Sequence, residues 1–315
     1  MYNILVTGVG SIIGYGIIDG LRKSELPVNI TGIDIYEDAY GGFQCDHFVQ
    51  GIRADDPGFI EFINGLISTY KIDLIIPGIE PDLYTFWENR EHLNTKVVFG
   101  NELCMKLAKD KLFTYEYLSK QDISLIPTLH AVSFEQSAET LGIPFLLKPV
   151  FSSASKGIEK IHTKEEFAFF TDRIKGNCIY QRIVGTIEDE YTCCVFGDGL
   201  GGFFDSIILK RKLSGEGSTN RASLAEDKFI QDYIIRLCQL LKPEGPLNIQ
   251  LRKEGDQVYL LEINSRVSSS CSIRTMMGYN EPEMCIRHYL MNEPIKTGKR
   301  TASRAVRYIA DFKIE

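Results

Sequence analysis

The chain has 315 residues, which is too long for one small domain and fits two or three packed units. Apolar residues make up 44% and charged residues 24%, a composition typical of a soluble globular protein. The net charge of −7 argues against nonspecific binding of nucleic acid, which requires a basic face. Nucleic acid is therefore excluded as an expected partner.

The sequence also indicates the compartment. The eight cysteines include no CxxC pair, which favours reduced thiols in a chain of this size without a secretory signal. The apolar run from Ile4 to Ile18 has no basic segment before it and is interrupted by glycines. It matches neither a signal peptide nor a membrane span. We predict a cytoplasmic protein without membrane contact.

Strands and helices alternate in the first hundred residues. Buried strands are predicted at 2–8, 29–36, 73–79 and 96–100, with helices at 11–24, at about 56–70 and after the third strand. This alternation predicts a parallel, doubly wound sheet. We assign residues 1–100 to an N-terminal α/β domain.

The remaining chain has a different pattern. A linker helix is predicted within 101–122. A unit at 123–184 holds strands at 143–150 and 178–184 and a helix at about 164–175. The unit at 185–315 begins with long alternating strands at 190–198 and 201–212, which indicate antiparallel pairing. A helix at about 224–241, a hairpin at 246–264 and a strand near 304–312 follow, so the fold class is α/β combined with α+β.

Glycines occupy the first strand-to-helix connection. Gly8, Gly10 and Gly14 lie there, and Asp34 ends the second strand, as in a dinucleotide-binding fingerprint. The spacing is looser than the fingerprint, so a tight turn that packs helix against sheet is the favoured interpretation. None of the fifteen tyrosines has Lys four residues later, which counts against a short-chain dehydrogenase. An NAD(P)-dependent oxidoreductase remains an alternative.

Polar side chains recur on two adjacent strands of the predicted hairpin. Its strands at 247–252 and 257–264 are joined by a short turn that contains glycine. Side chains alternate along a strand, so a turn of three or five residues places one polar set on a shared face. A two-residue turn would separate that set, and a solvated outer face is the alternative interpretation. The polar set is Asn248, Gln250, Glu262 and Asn264. The opposite, apolar face would hold Ile249, Leu251, Leu261 and Ile263.

Carboxylate and amide oxygens of this kind suit Mg²⁺, which takes a few hard protein ligands and completes its shell with phosphate oxygens. We therefore predict that Gln250, Glu262 and Asn264 bind Mg²⁺ together with a nucleotide.

With these residues in place, the chain resembles the ATP-grasp superfamily, particularly the branch like the large subunit of carbamoyl-phosphate synthase. The resemblance extends from the N-terminal domain to about residue 280, and the motifs occur in the family's order. It implies a parallel pre-ATP-grasp domain followed by a two-lobed ATP-grasp fold with antiparallel sheets. The segment 123–184 would be the small lid lobe and 185–315 the larger lobe.

The resemblance assigns residues to the ATP phosphates. Lys111 follows Asp110 at the start of the linker helix and matches a family cation that reaches the phosphates. Lys148, in the segment LLKPV, matches the lysine that holds the α- and β-phosphates. The serine-rich loop at 152–157 takes the place of a glycine-rich lid over the phosphates, since small residues let backbone N–H groups approach an anion. Its expected contacts are Ser155, Lys156 and Gly157.

The resemblance also assigns residues to the base and ribose of ATP. The segment 181–184 resembles the hinge that bonds adenine through the side chain of Gln181 and the backbone groups of Arg182 and Val184. Glu190 matches the acidic residue that accepts bonds from the ribose hydroxyls, with Glu188 as a close rival, and Asn248 is counted with the nucleotide contacts. The hinge residues are Gln181, Arg182, Ile183 and Val184.

Arginines complete the implied site. Arg266 matches the arginine of the family's Glu-x-Asn-Pro-Arg signature, in which Ser265 here replaces the proline. Arg211 and Lys212, together with Arg221, flank a Gly-Ser loop and could meet the γ-phosphate or an acidic substrate. We assign catalytic roles to Arg266, Lys212 and Arg211.

The implied activity is that of an ATP-dependent carboxylate–amine ligase. Mg²⁺ and the cations neutralise charge as the γ-phosphoryl group moves to a carboxylate, and an amine then attacks the acyl phosphate. ATP and Mg²⁺ are the expected cofactors, and a small carboxylate and an amine the expected partners. Glu80, Asp82 and residues 268–274 are expected near the acceptor. Homodimers are common among such folds, and a nucleotide-binding regulatory protein without turnover is the remaining alternative.

Overall fold

The structure is a computed structural model, and it describes residues 1–152, 156–215, 217–308 and 310–311. Its strands form three sheets, of five, six and four strands. The strands of each sheet come from a separate part of the chain. The exact domain limits at residues 100, 122 and 184 remain a prediction. In the described residues, no helix combines the length and the apolar character that crossing a membrane requires.

The N-terminal sheet is fully parallel, as predicted, with the strand order β3-β2-β1-β4-β5. Successive side chains of β1 enter different cores, with Ile4 and Val6 on one face and Leu5 on the other. Burial on both faces is typical of a doubly wound sheet. The short edge strand β3 is an addition to the prediction. The elements are β1 (Tyr2–Thr7), α1 (Ile12–Arg22), β2 (Val28–Asp34), β3 (His47–Gln50), α2 (Phe59–Tyr70), β4 (Leu74–Ile76), α3 (Glu80–Glu88) and β5 (Lys96–Val97).

The glycines of the β1–α1 connection are required by close packing. Gly8 has a φ of +59°, in the left-handed region that favours glycine. A Cβ atom at Gly14 would lie 2.3 Å from the carbonyl oxygen of Gly8. The favoured interpretation of this motif, a turn that packs the helix tightly onto the sheet, agrees with this geometry.

We expect Gly14→Ala to lower the free energy of unfolding by about 2–3 kcal/mol, because the added methyl group meets backbone that can yield only by moving α1. The matched control is Gly65→Ala in α2, where a Cβ would meet nothing within 4 Å. That change should be neutral or should stabilise by up to about 1 kcal/mol. Urea unfolding of both variants measures the difference, and equal effects would contradict the packing role.

The linker contains two helices where one was predicted. Helix α4 (Glu102–Lys109) ends at Asp110, and α5 (Lys111–Leu118) begins directly after it. The Asp110 carboxylate accepts a hydrogen bond of 2.8 Å from the backbone N–H of Phe113. Aspartate at this position caps a new helix and does not continue the previous one. The cap places Lys111 in the first turn of α5.

A four-stranded antiparallel sheet, in the order β6-β9-β7-β8, follows the linker. Phe145, Leu147 and Tyr180 point from it into a small core against α6 and α7. Lys148 and Gln181 have the opposite parity on β7 and β9 and therefore lie on the other face. The elements are β6 (Thr128–His130), α6 (Phe134–Leu141), β7 (Phe145–Pro149), β8 (Glu159–Ile161), α7 (Lys164–Arg173) and β9 (Cys178–Arg182).

The third sheet has six antiparallel strands in the order β14-β13-β10-β11-β12-β15. One face packs against α8 and α4, and part of the other packs against the N-terminal domain. Helix α8 begins at Lys228, later than predicted, because residues 219–224 form a strand and Asp227 caps the helix. The elements are β10 (Glu190–Asp198), β11 (Phe203–Leu213), β12 (Thr219–Leu224), α8 (Lys228–Leu241), β13 (Glu244–Glu254), β14 (Gln257–Asn264), α9 (Cys271–Met276), α10 (Glu281–Ile286), a π-helical turn (Arg287–Met291) and β15 (Arg304–Val306).

The β13–β14 hairpin has a two-residue turn, so the predicted turns of three or five residues are wrong. Glu254 pairs with Gln257, and Leu251 pairs with Leu260 in the same register. The register then shifts by one residue at a β-bulge, after which Gln250 pairs with Glu262. A bulge re-aims the side chains beyond it.

This bulge restores the shared polar face that a two-residue turn would otherwise separate. It also corrects the predicted apolar face. Leu260 enters the core beside Leu251 and Ile263, whereas Leu261 is the extra residue and lines a neighbouring cleft.

Candidate functional site

A narrow cleft of about 40 Å³ lies between the four-stranded and six-stranded sheets. Helices α4 and α5 close one side of it. Apolar side chains and the charged groups of Lys111, Lys148 and Glu262 line it together. The lining includes Leu107, Lys111, Tyr115, Ile126, Thr128, Lys148, Ile179, Gln181, Leu261 and Glu262.

Lys148 lies deep in this cleft and is almost fully buried. Its Nζ donates a hydrogen bond of 2.6 Å to Oε1 of Gln181, and the Gln181 amide in turn donates to Oγ1 of Thr128 at 3.0 Å. Burial lowers the pKa of Lys148 to about 8, against the opposing effect of Glu262. A buried cation with one neutral partner is suited to meet an anion such as a phosphate.

Lys111 lines the same cleft from α5. Its Nζ donates to the backbone oxygen of Ser152 at 2.5 Å and lies 3.9 Å from a Glu262 oxygen. Ser152 begins the serine-rich loop, so Lys111 touches that loop directly. Lys156 is exposed, Gly157 has a φ of +73°, and the predicted contact Ser155 lies outside the described residues.

The hinge at 181–184 leaves the small lobe along β9. The backbone N–H of Arg182 donates to the carbonyl of Pro127, and its guanidinium donates to the Tyr259 hydroxyl at 3.2 Å. The carbonyl of Val184 accepts from Arg252 at 3.4 Å, and Ile183 is half-buried. The adenine contacts assigned to this hinge remain a prediction.

Glu190 is buried between two arginines on the neighbouring strands. Arg211 donates to one carboxylate oxygen at 2.8 Å, and Arg252 donates to the other at 2.5 Å. Burial by itself raises the pKa of Glu190, but the two guanidinium groups outweigh it and hold the pKa below its ordinary value. The carboxylate therefore stays charged at the start of β10.

Lys212 lies outside this cluster, although it was predicted beside Arg211. Neighbouring residues of a strand point to opposite faces, so Lys212 leaves the site and forms an exposed ion pair with Glu188 at 2.7 Å. Arg221 is also exposed. Of the predicted pair of cations, only Arg211 reaches the site, and of the rival acids only Glu190 is in it.

Of the predicted metal ligands, Glu262 lines the cleft, and Gln250 and Asn264 lie beside it on the hairpin. Gln250 and Glu262 face each other across β13 and β14, and Oε1 of Gln250 accepts from Arg211 at 2.8 Å. Asn264 lies two residues beyond Glu262, and its Oδ1 accepts from Arg266 at 3.3 Å. Arg266 also donates to Glu80 at 2.6 Å, which joins the site to the first turn of α3.

These ligands fit Mg²⁺. All three offer hard oxygen atoms, and each amide oxygen retains a lone pair after accepting one hydrogen bond. The Nδ2 atom of Asn264 is buried without a hydrogen-bond partner in the described structure. One carboxylate and two amides are too few ligands for a protein-only site, which agrees with a metal that also binds phosphate.

Asn248 is placed differently from its prediction. It pairs with Asn264 across the hairpin, but its Oδ1 already accepts from Thr192 at 2.8 Å and from Arg274 at 2.5 Å. The side chain is buried in this network. Its nucleotide contact remains a prediction, and the geometry favours a role in holding the hairpin.

Two contributors were missed from the sequence, namely Thr128 and Arg252. Arg252 could have been found, because it lies two residues from Gln250 on the same strand and therefore on the same face. Thr128 gave no such signal, since its strand β6 is three residues long and only its tertiary position brings it to Gln181.

The glycine loop of the N-terminal domain offers no comparable anion site. Oδ2 of Asp34 accepts a hydrogen bond of 2.8 Å from the backbone N–H of Gly10, and Oδ1 accepts one from the backbone N–H of Tyr36. A carboxylate thus takes the N–H group that a dinucleotide pyrophosphate would use. This contact weighs against the oxidoreductase alternative.

The fold and the cleft between the two lobes are similar to those of ATP-grasp proteins, a class whose ligases form C–N bonds with ATP. The family described as “ATP-grasp in the biosynthetic pathway with Ter operon” matches residues 189–312. The predicted ATP-grasp fold is therefore confirmed, and the similar proteins include C–N bond-forming ligases and a structure with bound MgADP.

Two kinds of curated relative illustrate this class. The formate-dependent phosphoribosylglycinamide formyltransferase of Rhodococcus jostii is 24% identical over 84% of this chain and 68% of its own length. The carbamoyl phosphate synthase large chain of Methanosarcina acetivorans is 29% identical over 44% of this chain. The match spans only 14% of that large chain, so most of the larger protein has no counterpart here.

Solved structures show the same fold. The N5-carboxyaminoimidazole synthetase of Staphylococcus aureus in complex with ADP has a TM-score of 0.73 at 18% identity, over 95% of this chain and 80% of that one. The biotin carboxylase domain dimer of Hydrogenobacter thermophilus 2-oxoglutarate carboxylase, solved with MgADP and bicarbonate, has a TM-score of 0.72 at 15% identity, over 94% and 71%.

Proposed function

We propose that this chain is a Mg²⁺- and ATP-dependent ligase that joins a small carboxylate to an amine through an acyl phosphate. The observation that carries the proposal is the meeting of Lys111, Lys148 and Glu262 in one cleft, because these residues come from three different elements. Two cations facing one carboxylate match the charges of a nucleotide phosphate chain and its metal.

The chain's own groups account for phosphate binding. Lys148 and Lys111 would hold phosphate oxygens, and Arg211 and Arg266 would face the transferred group. Gln250, Glu262 and Asn264 would hold Mg²⁺, which neutralises phosphate charge as it develops. Glu190 would accept hydrogen bonds from the ribose, and the hinge at 181–184 would bond the base.

The reaction requires no protein nucleophile. A carboxylate oxygen attacks the γ-phosphorus, and the bond to the β-phosphate oxygen breaks to release ADP. The amine nitrogen then attacks the acyl carbon, phosphate leaves and the nitrogen loses a proton. The cleft of about 40 Å³ is too small for ATP, so we expect the small lobe to open for the nucleotide and to close over it.

The names of the relatives do not fix the substrate. Two of them refer to phosphoribosyl or carboxyaminoimidazole compounds, and a third refers to bicarbonate. Small carboxylates or bicarbonate as the acceptor of phosphate fit this set. A second copy of the chain is a proposed partner, because one structural relative is a dimer.

The test is phosphate release from Mg-ATP across a matrix of carboxylates and amines, with each compound also tested alone. We expect release that depends on one carboxylate and one amine together, with ADP in equal amount. Silence across a broad matrix, with Mg-ATP still bound, would favour the regulatory alternative. Stabilisation by NAD(P) without any effect of Mg-ATP would support the oxidoreductase instead.

A further inference from the structure

A second and larger cavity, of about 630 Å³, lies in the N-terminal domain, outside the nucleotide cleft. It is found at the carboxyl ends of the parallel strands, where open α/β sheets bind their ligands. Its volume suits a small molecule. The wall includes Gly10, Asp34, Tyr36, Tyr40, Ile52 and Asp82.

The described wall of this cavity is strongly acidic. Four carboxylates line it, at Asp34, Asp38, Asp55 and Asp82, against one cation. That cation, Arg53, is already paired with Asp55 at 2.9 Å. Low-dielectric walls of one charge attract the opposite charge and repel their own. A phosphate group in this cavity would meet acidic side chains without a free basic partner in the lining.

One backbone donor of the glycine loop is already occupied by a carboxylate. The N–H of Gly10, which a phosphate could use, donates to Asp34. Arg307 of the larger lobe interacts electrostatically with Tyr40, but its guanidinium donates to the backbone carbonyls of Thr219 and Ser269. The charge balance of the cavity therefore favours a cation.

Asp82 is the buried member of this acidic wall. Only 5% of it is exposed, and burial raises its pKa to about 6, although a hydrogen bond from Thr7 opposes that rise. Such a carboxylate is stabilised by a cation placed against it.

Large apolar side chains surround the acidic groups. Ile35, Tyr36, Tyr40 and Ile52 all line the cavity and all have at least 36% of their surface exposed. Exposed apolar side chains gathered in one cavity mark a binding surface, and tyrosine rings also attract cations. The ligand that fits has an apolar or ring-shaped body beside its charge.

Helix α3 connects this cavity to the nucleotide cleft. Its first turn carries Asp82 in the cavity wall and, two residues earlier, Glu80 against Arg266. Tyr84 of the same helix interacts electrostatically with Glu80, Arg266 and Glu262. A ligand held at Asp82 is therefore next to the element that contacts the site of phosphoryl transfer.

We propose that this cavity binds the amine substrate of the ligase as an ammonium ion with an apolar or ring-shaped body and without a phosphate group. The ammonium nitrogen gives up one proton before it attacks the acyl carbon. The inference rests on the proposed function, since it names the substrate class of the same enzyme. It separates this chain from those relatives whose names specify phosphoribosyl compounds.

The test uses three ring-bearing probes, namely tyramine, tyramine O-phosphate and benzoate. The full chain is first saturated with Mg²⁺ and a nonhydrolysable ATP analogue, so that anionic probes cannot occupy the nucleotide cleft. Binding is measured by titration calorimetry and ligand-observed NMR. We expect tyramine to bind at least about tenfold more tightly than its phosphate ester, because like charges placed in one site repel each other. Benzoate should bind no better than the ester.

Variants locate the site. Asp82→Asn should weaken tyramine binding about tenfold, as expected for loss of a charged hydrogen bond. Asp38→Asn, at an exposed wall position, should weaken it by a smaller factor and provides the test if Asp82→Asn does not fold. The matched control is Glu139→Gln, an exposed acid on α6, which should leave binding unchanged.

Three results would overturn the inference: absence of tyramine binding, equal binding of the phosphate ester, or unchanged affinity in both aspartate variants. The ATP analogue provides the second readout. If it raises the melting temperature while the probes fail, the inference alone is wrong. If the ATP analogue does not change the melting temperature, the proposed function itself is wrong.

Discussion

Glu262→Gln is expected to remove most of the thermal stabilisation by Mg-ATP and to lower phosphate release at least about a hundredfold. Glu262 is the single carboxylate among the proposed metal ligands, and no hydrogen bond within the described structure occupies it; Lys111 is 3.9 Å away. Saturating ligand at about 100 times its Kd stabilises a protein by about 2.7 kcal/mol. Loss of the charge that holds Mg²⁺ removes much of that gain, and loss of one electrostatic contact typically costs about 10²–10³ in turnover.

Melting curves with ATP alone, Mg²⁺ alone and both together measure this effect. Wild type without Mg²⁺ should resemble Glu262→Gln, because both lack the bound metal. Glu139→Gln makes the same change of charge at an exposed position and should keep the full stabilisation. If Glu262→Gln lowers the melting temperature without ligand but retains the shift with Mg-ATP, Glu262 has a structural role and the metal assignment is wrong.

The sequence predicted the polar face of the hairpin but not the turn that produces it. Strand alternation can decide which residues share a face only when the pairing register is known. The two-residue turn shifts the pairing register by one residue from that of a three-residue turn, and the bulge at Leu261 shifts it by one more. The two shifts together return Glu262 to the same face as Gln250. A bulge depends on packing around the strand, so the hairpin sequence alone could not reveal it.

The parallel sheet could be predicted because its strands are buried, apolar and separated by helices. The edge strand β3 lacks that signal, since His47 and Gln50 at its ends are exposed. Lys212 was misplaced for a different reason. Two adjacent basic residues both suit a phosphate, but a strand turns them to opposite faces, and only the buried pairing with Glu190 identifies Arg211 as the inner one.

Arg274→Met is expected to lower the free energy of unfolding by about 3–5 kcal/mol. Arg274 and Glu281 are both fully buried and form an ion pair of 3.1 Å. Removing the arginine leaves the Glu281 carboxylate buried without its countercharge. It also leaves Thr192 and Asn248 without the guanidinium that bonds them at 3.0 and 2.5 Å.

A double-mutant cycle isolates the pair. Arg274→Met combined with Glu281→Gln should recover part of the lost stability, because no charge is then buried alone. Arg287→Met is the matched control, since its pairs with Glu283 and Glu293 are partly exposed and should contribute about 1 kcal/mol or less. Urea unfolding of wild type, Arg274→Met, Glu281→Gln and the double variant gives the four free energies of the cycle. Strictly additive losses would show that the pair is not coupled.

The stability loss should extend to the nucleotide site through Asn248. Arg274 holds the side-chain oxygen of Asn248, which lies opposite Asn264 in the hairpin register. The double variant removes both buried charges but does not replace the hydrogen bond that Asn248 loses with Arg274. Stability and Mg-ATP binding should therefore respond differently to it. We expect it to regain stability while its Mg-ATP stabilisation stays below that of wild type. Full recovery of both stability and Mg-ATP stabilisation would show that Arg274 stabilises the core but does not position the hairpin ligands.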